Sequence, residues 1–187
     1  MRTVAQLLLF NALYTVAVLG AARGHPWAGA LALVPFAAAH LALTPAACRR
    51  REVGFLALVG LAGTAMDSGL LALGLTGYAS APAGWPALLV PPWISALWVA
   101  FAALPGIMRW LHGRFWLALA FGAVSGPFSF WCGERLGAVT LPAAELTLAA
   151  LALQYAAVLP LMLHWAPRAR LEPYSSRSAI RASIART

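Results

Sequence analysis

The chain has 187 residues, 62% of them hydrophobic and 10% charged. A soluble domain carries about 25% charged and about 45–50% apolar residues, so a large soluble core is excluded. The net charge is +8 and comes from arginine alone, since lysine is absent. A basic soluble chain would point to nucleic acid. Here the arginines fall between and after apolar runs, which points to membrane topology and anionic lipid, with no nucleic-acid partner.

The apolar runs have the length of about twenty residues needed to cross a bilayer. Span 1 covers about Val4 to Ala22. Asn11 inside it favours a retained helix over a cleaved leader, because a bundle can hydrogen-bond a mid-span amide. Span 2 runs from about Trp27 to Ala47 with Pro35 and His40, and Arg49, Arg50 and Arg51 follow it. Span 3 covers about Val53 to Leu75 and carries Asp67. An uncharged loop occupies residues 76–85. Span 4 is expected over about Pro86 to Met108, and Arg109, His112 and Arg114 form a basic loop after it. Span 5 covers about Phe115 to Gly133, and span 6 about Ala143 to Trp165.

The fold class expected is therefore an all-α membrane protein, a bundle of about six transmembrane helices over residues 1–166. Residues 167–187 form a basic cytoplasmic tail. With both termini cytoplasmic, eleven of the thirteen arginines lie inside and only Arg23 and Arg135 outside. The positive-inside rule selects that orientation. Cys48 and Cys132 then lie near opposite faces, so both are read as structural thiols.

Span 5 carries a clear pattern. Gly122, Gly126, Ser129 and Gly133 recur at helical spacing on one face, while Phe121, Val124, Phe128 and Trp131 fall elsewhere. Another helix is expected to approach the small face closely. Pro127 removes an N–H from the middle of this span, so a break is expected there.

Asp67 is the strongest candidate for chemistry. Insertion scales put an isolated aspartate at a helix centre at about 2.5–3.5 kcal/mol. It must therefore face the bundle, a partner or a wet cavity. The competing readings are a proton-exchanging or ligand-binding carboxylate and a hydrogen-bonded residue that pins helices together. Orientation brings Asp67 to one depth with Ser68, Trp93, Ser129 and Arg135, and leaves Asn11 near mid-depth. A cavity opening to the outer leaflet is expected, with Asp67 as the catalytic candidate. Asn11, Ser68, Trp93, Trp98, Gly126, Ser129 and Arg135 are the substrate-binding candidates. Glu134 and Arg135 read as a surface ion pair at its mouth, and Glu145 as a favourable charge at a helix N-terminus. Trp27, Trp85, Trp93, Trp110 and Trp165 read as an interfacial belt. His40 reads as a packed, hydrogen-bonded residue. No metal-ligand spacing, phosphate loop, nucleophile elbow or dinucleotide fingerprint occurs, so neither metal nor cofactor is expected.

The strings AGTAMDSGLLALG (62–74), PPWISALWVAF (91–101), RWLHGR (109–114) and AVSGPFSFWCGERLG (123–137) resemble the bacterial membrane-protein family named domain of unknown function 2878. The resemblance runs over roughly residues 7 to 165. Its pattern maps onto Asp67, Pro92-Trp93, Leu97-Trp98 and the segment Gly126 to Phe130. Glu134 departs from it, since relatives look small there. The resemblance implies a multi-pass protein of the bacterial inner membrane and supplies no activity. Its relatives are associated with neighbouring fatty-acyl-modifying enzymes, which implies a lipid role by association.

Three functions compete: a membrane-lipid or fatty-acyl modifying enzyme or its partner, a small transporter or flippase, and a non-catalytic accessory subunit. The partners expected are membrane lipids, with a membrane-protein partner or a second copy under the third reading.

Overall fold

The computed structural model describes residues 2–166, with side chains from Val4 onward. The tail expected over 167–187 lies outside the described residues. The described residues form six α-helices: α1 (Arg2–Ala22), α2 (Ala28–Ala42), α3 (Arg49–Ala72), α4 (Pro92–Phe101), α5 (Phe115–Arg135) and α6 (Ala144–Trp165). The helices α1, α3, α5 and α6 are long and apolar enough to cross a membrane, as in a multi-pass membrane protein. α2 and the α4 region are apolar but shorter.

Span 4 departs most from the sequence expectation. The chain from Pro86 to Pro91 is not helical, and α4 begins only at Pro92. Proline fixes φ and has no N–H, so Pro91 sits extended as the N-cap while Pro92 starts the helix. α4 ends after ten residues, and a short 3₁₀ turn follows at Leu104–Gly106. Proline and glycine again stop regular structure there. α5, by contrast, runs unbroken through Pro127. The expected break is a lost backbone bond inside a continuous helix.

α4 is the centre of the molecule. It packs against α1, α2 and α3. Pro92, Trp93, Ile94, Ala96, Trp98 and Ala100 are all buried. The other five helices form a ring around it. α1 packs on α2, and α5 on α6. α2 joins α3 through the buried His40 Nε2···Glu52 Oε1 contact of 2.6 Å. α3 joins α6 through Asp67 and Gln154, and through Thr147, whose hydroxyl donates to the Leu75 carbonyl at 2.7 Å. The Tyr14 hydroxyl of α1 donates to the Ser129 carbonyl of α5 at 3.3 Å, closing the ring.

The small-residue stripes are used inside this ring. A methyl group at Gly126 would run into the Tyr155 ring on α6, and one at Gly63 into the Trp98 indole on α4. The large residues of α5 point the other way: Val124 and Phe128 are exposed. That division of α5 is the one its sequence pattern predicts.

Three helices end alike. Gly24, Gly74 and Gly137 all have positive φ and follow α1, α3 and α5. After each, the next N–H reaches back five residues: His25 to Gly20, Leu75 to Leu70, and Ala138 to Gly133. This is the glycine-terminated helix end, in which a left-handed residue lets the chain turn out. The turns after α3 and α5 feed a short antiparallel ribbon, β1 (Gly77–Tyr78) with β2 (Val139–Thr140). Gly77 pairs with Thr140 and Tyr78 with Val139. β1 lies in the uncharged loop expected over residues 76–85, and β2 lies between α5 and α6.

Candidate functional site

The geometry around Asp67 is closed and fully paired. Asp67 is 1% exposed. Its Oδ2 accepts the Trp98 indole N–H at 2.7 Å, and its Oδ1 accepts the Gln154 amide N–H at 2.8 Å. One carboxylate thus ties α3 to both α4 and α6. Neither donor can accept a proton in this arrangement. Both hydrogen bonds run to other helices, the geometry of a residue that joins helices.

Trp98 carries the consequence of that tie. Its ring stacks on Tyr155 with centroids 5.2 Å apart, and meets Phe101 edge-on at 5.5 Å. Gly63 supplies the room for the indole on α3. Two crevices reach Trp98 from opposite sides of the ring of helices. The first, about 220 Å³, opens between α1 and α5. Its apolar wall includes Phe10, Leu97, Phe101 and Phe121, and its polar groups come from Tyr14, Ser125, Ser129 and Tyr155. The second, about 210 Å³, opens between α3 and α6, and is lined by apolar side chains such as Phe55, Val59, Met66 and Val158. Trp98 forms part of the wall of both.

The candidates from the sequence are distributed as follows. Asp67 and Trp98 are joined directly. Ser129 lines the α1/α5 crevice and its hydroxyl lies 3.4 Å from that of Tyr14. Gly126 is buried behind it against Tyr155. Ser68 accepts the Val90 N–H at 3.1 Å, so it anchors the chain entering α4. Trp93 is 1% exposed and meets Tyr78 edge-on at 5.8 Å. It is therefore a core residue, unlike the other members of the expected belt: Trp27, Trp110 and Trp165 are exposed and Trp85 is half-buried. Asn11 is exposed and donates to the Leu7 carbonyl one turn back, away from the other candidates. A mid-span amide is satisfied here by its own helix. Arg135 lies over the Trp131 ring at 5.3 Å, a cation–π placement. Glu134 accepts the Leu141 N–H at 3.2 Å. These two residues thus serve the exit from α5 rather than the expected ion pair.

Sequence pattern passes over Gln154, Tyr155, Tyr14 and Glu52. Gln154 was legible as a lone amide in an apolar span, the same signal that singles out Asn11. Glu52 sits next to an arginine run and reads as a flank, yet it is 1% exposed against His40. Among the described residues no group of three or more His, Cys, Asp or Glu side chains could hold a metal ion.

Outside the helices, burial first and the Asp67 carboxylate second push the Tyr78 phenol above its ordinary range. Burial first and Arg109 second push His112 below the usual histidine value.

The family described as "Protein of unknown function (DUF2878)" matches residues 3–161. No curated protein and no solved structure matches this chain.

Proposed function

The chain belongs to the DUF2878 family, and on that premise we propose that it is a multi-pass protein of a bacterial inner membrane that holds the hydrocarbon chain of a membrane lipid in the α1/α5 crevice. Its work there belongs to membrane-lipid or fatty-acyl modification. Both termini face the cytoplasm, and all six apolar segments lie within the bilayer. The arginine distribution supports that orientation.

One observation carries the reading. A crevice with mainly aromatic and aliphatic walls also has hydroxyl groups from Tyr14, Ser125 and Ser129 in its lining, together with Trp98 and Tyr155. An apolar cleft with a few convergent polar groups is the usual form of a small-molecule site. The crevice opens between two membrane-length helices, so its natural occupant is a lipid chain bearing a hydroxyl or carbonyl group.

Asp67 acts in this site as a positioning residue. Its carboxylate fixes the indole that forms part of the crevice wall. The accessory-subunit reading draws on small-residue faces left free for a partner, and the stripes at Gly63 and Gly126 are already filled by Trp98 and Tyr155. The carrier reading draws on a hinge at Pro127, where α5 is continuous.

Native mass spectrometry of the protein released from nanodiscs tests the proposal. A bound lipid should survive in the wild type and be lost in Ser125→Trp, which fills the crevice. Equal retention in Ser125→Trp and wild type would sink it.

A further inference from the structure

A second polar site lies away from this crevice, beside the β1–β2 ribbon. Thr76 and Tyr78 lie two residues apart across β1, so strand alternation puts both side chains on one face, and the buried Ser80 follows a bend at Ala79. Gly77, on the other parity, faces the Thr140 hydroxyl of the paired strand. Trp93, at the start of α4, meets Tyr78 ring to ring at 5.8 Å. Thr76 is 3% exposed, Ser80 9% and Trp93 1%. Trp93 Nε1 and Ser80 Oγ are buried without a hydrogen-bond partner among the described residues, and Thr76 Oγ1 and the Tyr78 hydroxyl, also buried, have only each other within reach.

Buried polar atoms are nearly always hydrogen-bonded, because leaving one unpaired forfeits its hydration. Here Trp93 Nε1 and Ser80 Oγ are left so in one region. The geometry points to a binding site for a neutral oxygen acceptor beside the ribbon, held by the Trp93 indole N–H with the Tyr78 hydroxyl next to it. The indole is a donor only, so the ligand atom must accept. The phenol stays protonated, since burial and the nearby Asp67 carboxylate both oppose its ionisation. That same carboxylate disfavours an anion. A neutral oxygen remains, either that of a water molecule or the carbonyl of a lipid ester.

Indole ¹⁵N–¹H spectroscopy of the full chain in nanodiscs distinguishes these. The eight tryptophans give eight indole signals. Trp93→Phe identifies one of them and Trp98→Phe another. If Trp93→Phe does not fold, Tyr78→Phe identifies the Trp93 signal through its shift. The Trp93 N–H is expected downfield, as a bonded indole. A water source gives a water exchange peak in both ester- and ether-linked lipids. A lipid-carbonyl source gives a downfield shift in ester-linked lipids that is lost in ether-linked ones. Trp98, held by Asp67, should be downfield in both without a water peak. A Trp93 signal in the unbonded range, with no water contact in either lipid, overturns the inference.

Discussion

The Trp98 indole N–H donates to Asp67 Oδ2 at 2.7 Å across 31 residues of sequence. The donor's ring forms part of the wall of both the α1/α5 crevice and the α3/α6 crevice. A polar residue costly in a membrane thus serves to fix an aromatic wall.

This role separates two substitutions at Asp67. In Asp67→Asn the amide oxygen still accepts from Trp98, and the new N–H donates once Gln154 flips its own amide. The loss is limited to the charge assistance, about 1 kcal/mol. In Asp67→Leu the buried Trp98 N–H is left unpaired, which costs about 1–3 kcal/mol, and the half-buried Gln154 amide loses its acceptor as well. Unfolding in mixed micelles should therefore rank wild type, Asp67→Asn and Asp67→Leu in that order. The double change Asp67→Asn with Gln154→Glu should recover part of the loss. Lipid retention that is normal in a folded Asp67→Asn fits a positioning role. Retention abolished in that folded variant contradicts it.

The glycines of α3 make a matched pair. Gly63→Ala drives a methyl group into the Trp98 ring, whereas a methyl at Gly69 meets nothing within 4 Å. Overpacking costs about 1–3 kcal/mol, while alanine in a helix is better than glycine by about 0.5–1 kcal/mol. Thermal unfolding in detergent should therefore fall for Gly63→Ala and hold or rise for Gly69→Ala. A similar midpoint for both would show that α4 does not seat on α3 as described.

His112 sets a pH dependence. Its folded pKa lies below the ordinary value, through burial first and Arg109 second. The unfolded chain therefore binds the proton more readily. The stabilising contribution is present above the ordinary histidine pKa of about 6.5 and declines as pH falls through that value toward the lower folded one. Stability measured from pH 8 to pH 5 should drop less steeply in His112→Gln than in the wild type. The difference between the two curves isolates this residue from the other histidines.

Topology is tested by single cysteines in a background with Cys48 and Cys132 changed to serine. Ala83→Cys, in the exposed loop before α4, should react with an impermeant maleimide on intact spheroplasts. Arg50→Cys should react only after permeabilisation. The reverse pattern would invert the orientation assigned from the arginines.

The parts of this fold that were legible in sequence are those where one helix face decides. On α5 the small stripe and the large residues separate cleanly, and the structure buries one and exposes the other. On α3, Gly60, Gly63 and Asp67 are buried, while Thr64 and Leu71 on the same side are half-buried. Span 4 misled because its composition is apolar throughout, while Pro91, Pro92, Pro105 and Gly106 decide where helix is allowed. The site was half legible. Asp67 announces itself by the cost of burying a charge. Its partner Gln154 lies 87 residues away, and a single apolar-span amide has no local pattern that tells pin from surface. Asn11 carries the same signal and turns to its own helix.

The central claim is that a lipid chain occupies the α1/α5 crevice. Photo-crosslinking in nanodiscs with a phospholipid bearing a diazirine along one acyl chain tests it most directly. The account predicts adducts concentrated on the peptides carrying Tyr14, Phe121 and Ser125, and their loss in Ser125→Trp. Adducts spread evenly over outward residues such as Leu61 and Leu153, at 72% and 75% exposure, with no enrichment in the crevice, would contradict it.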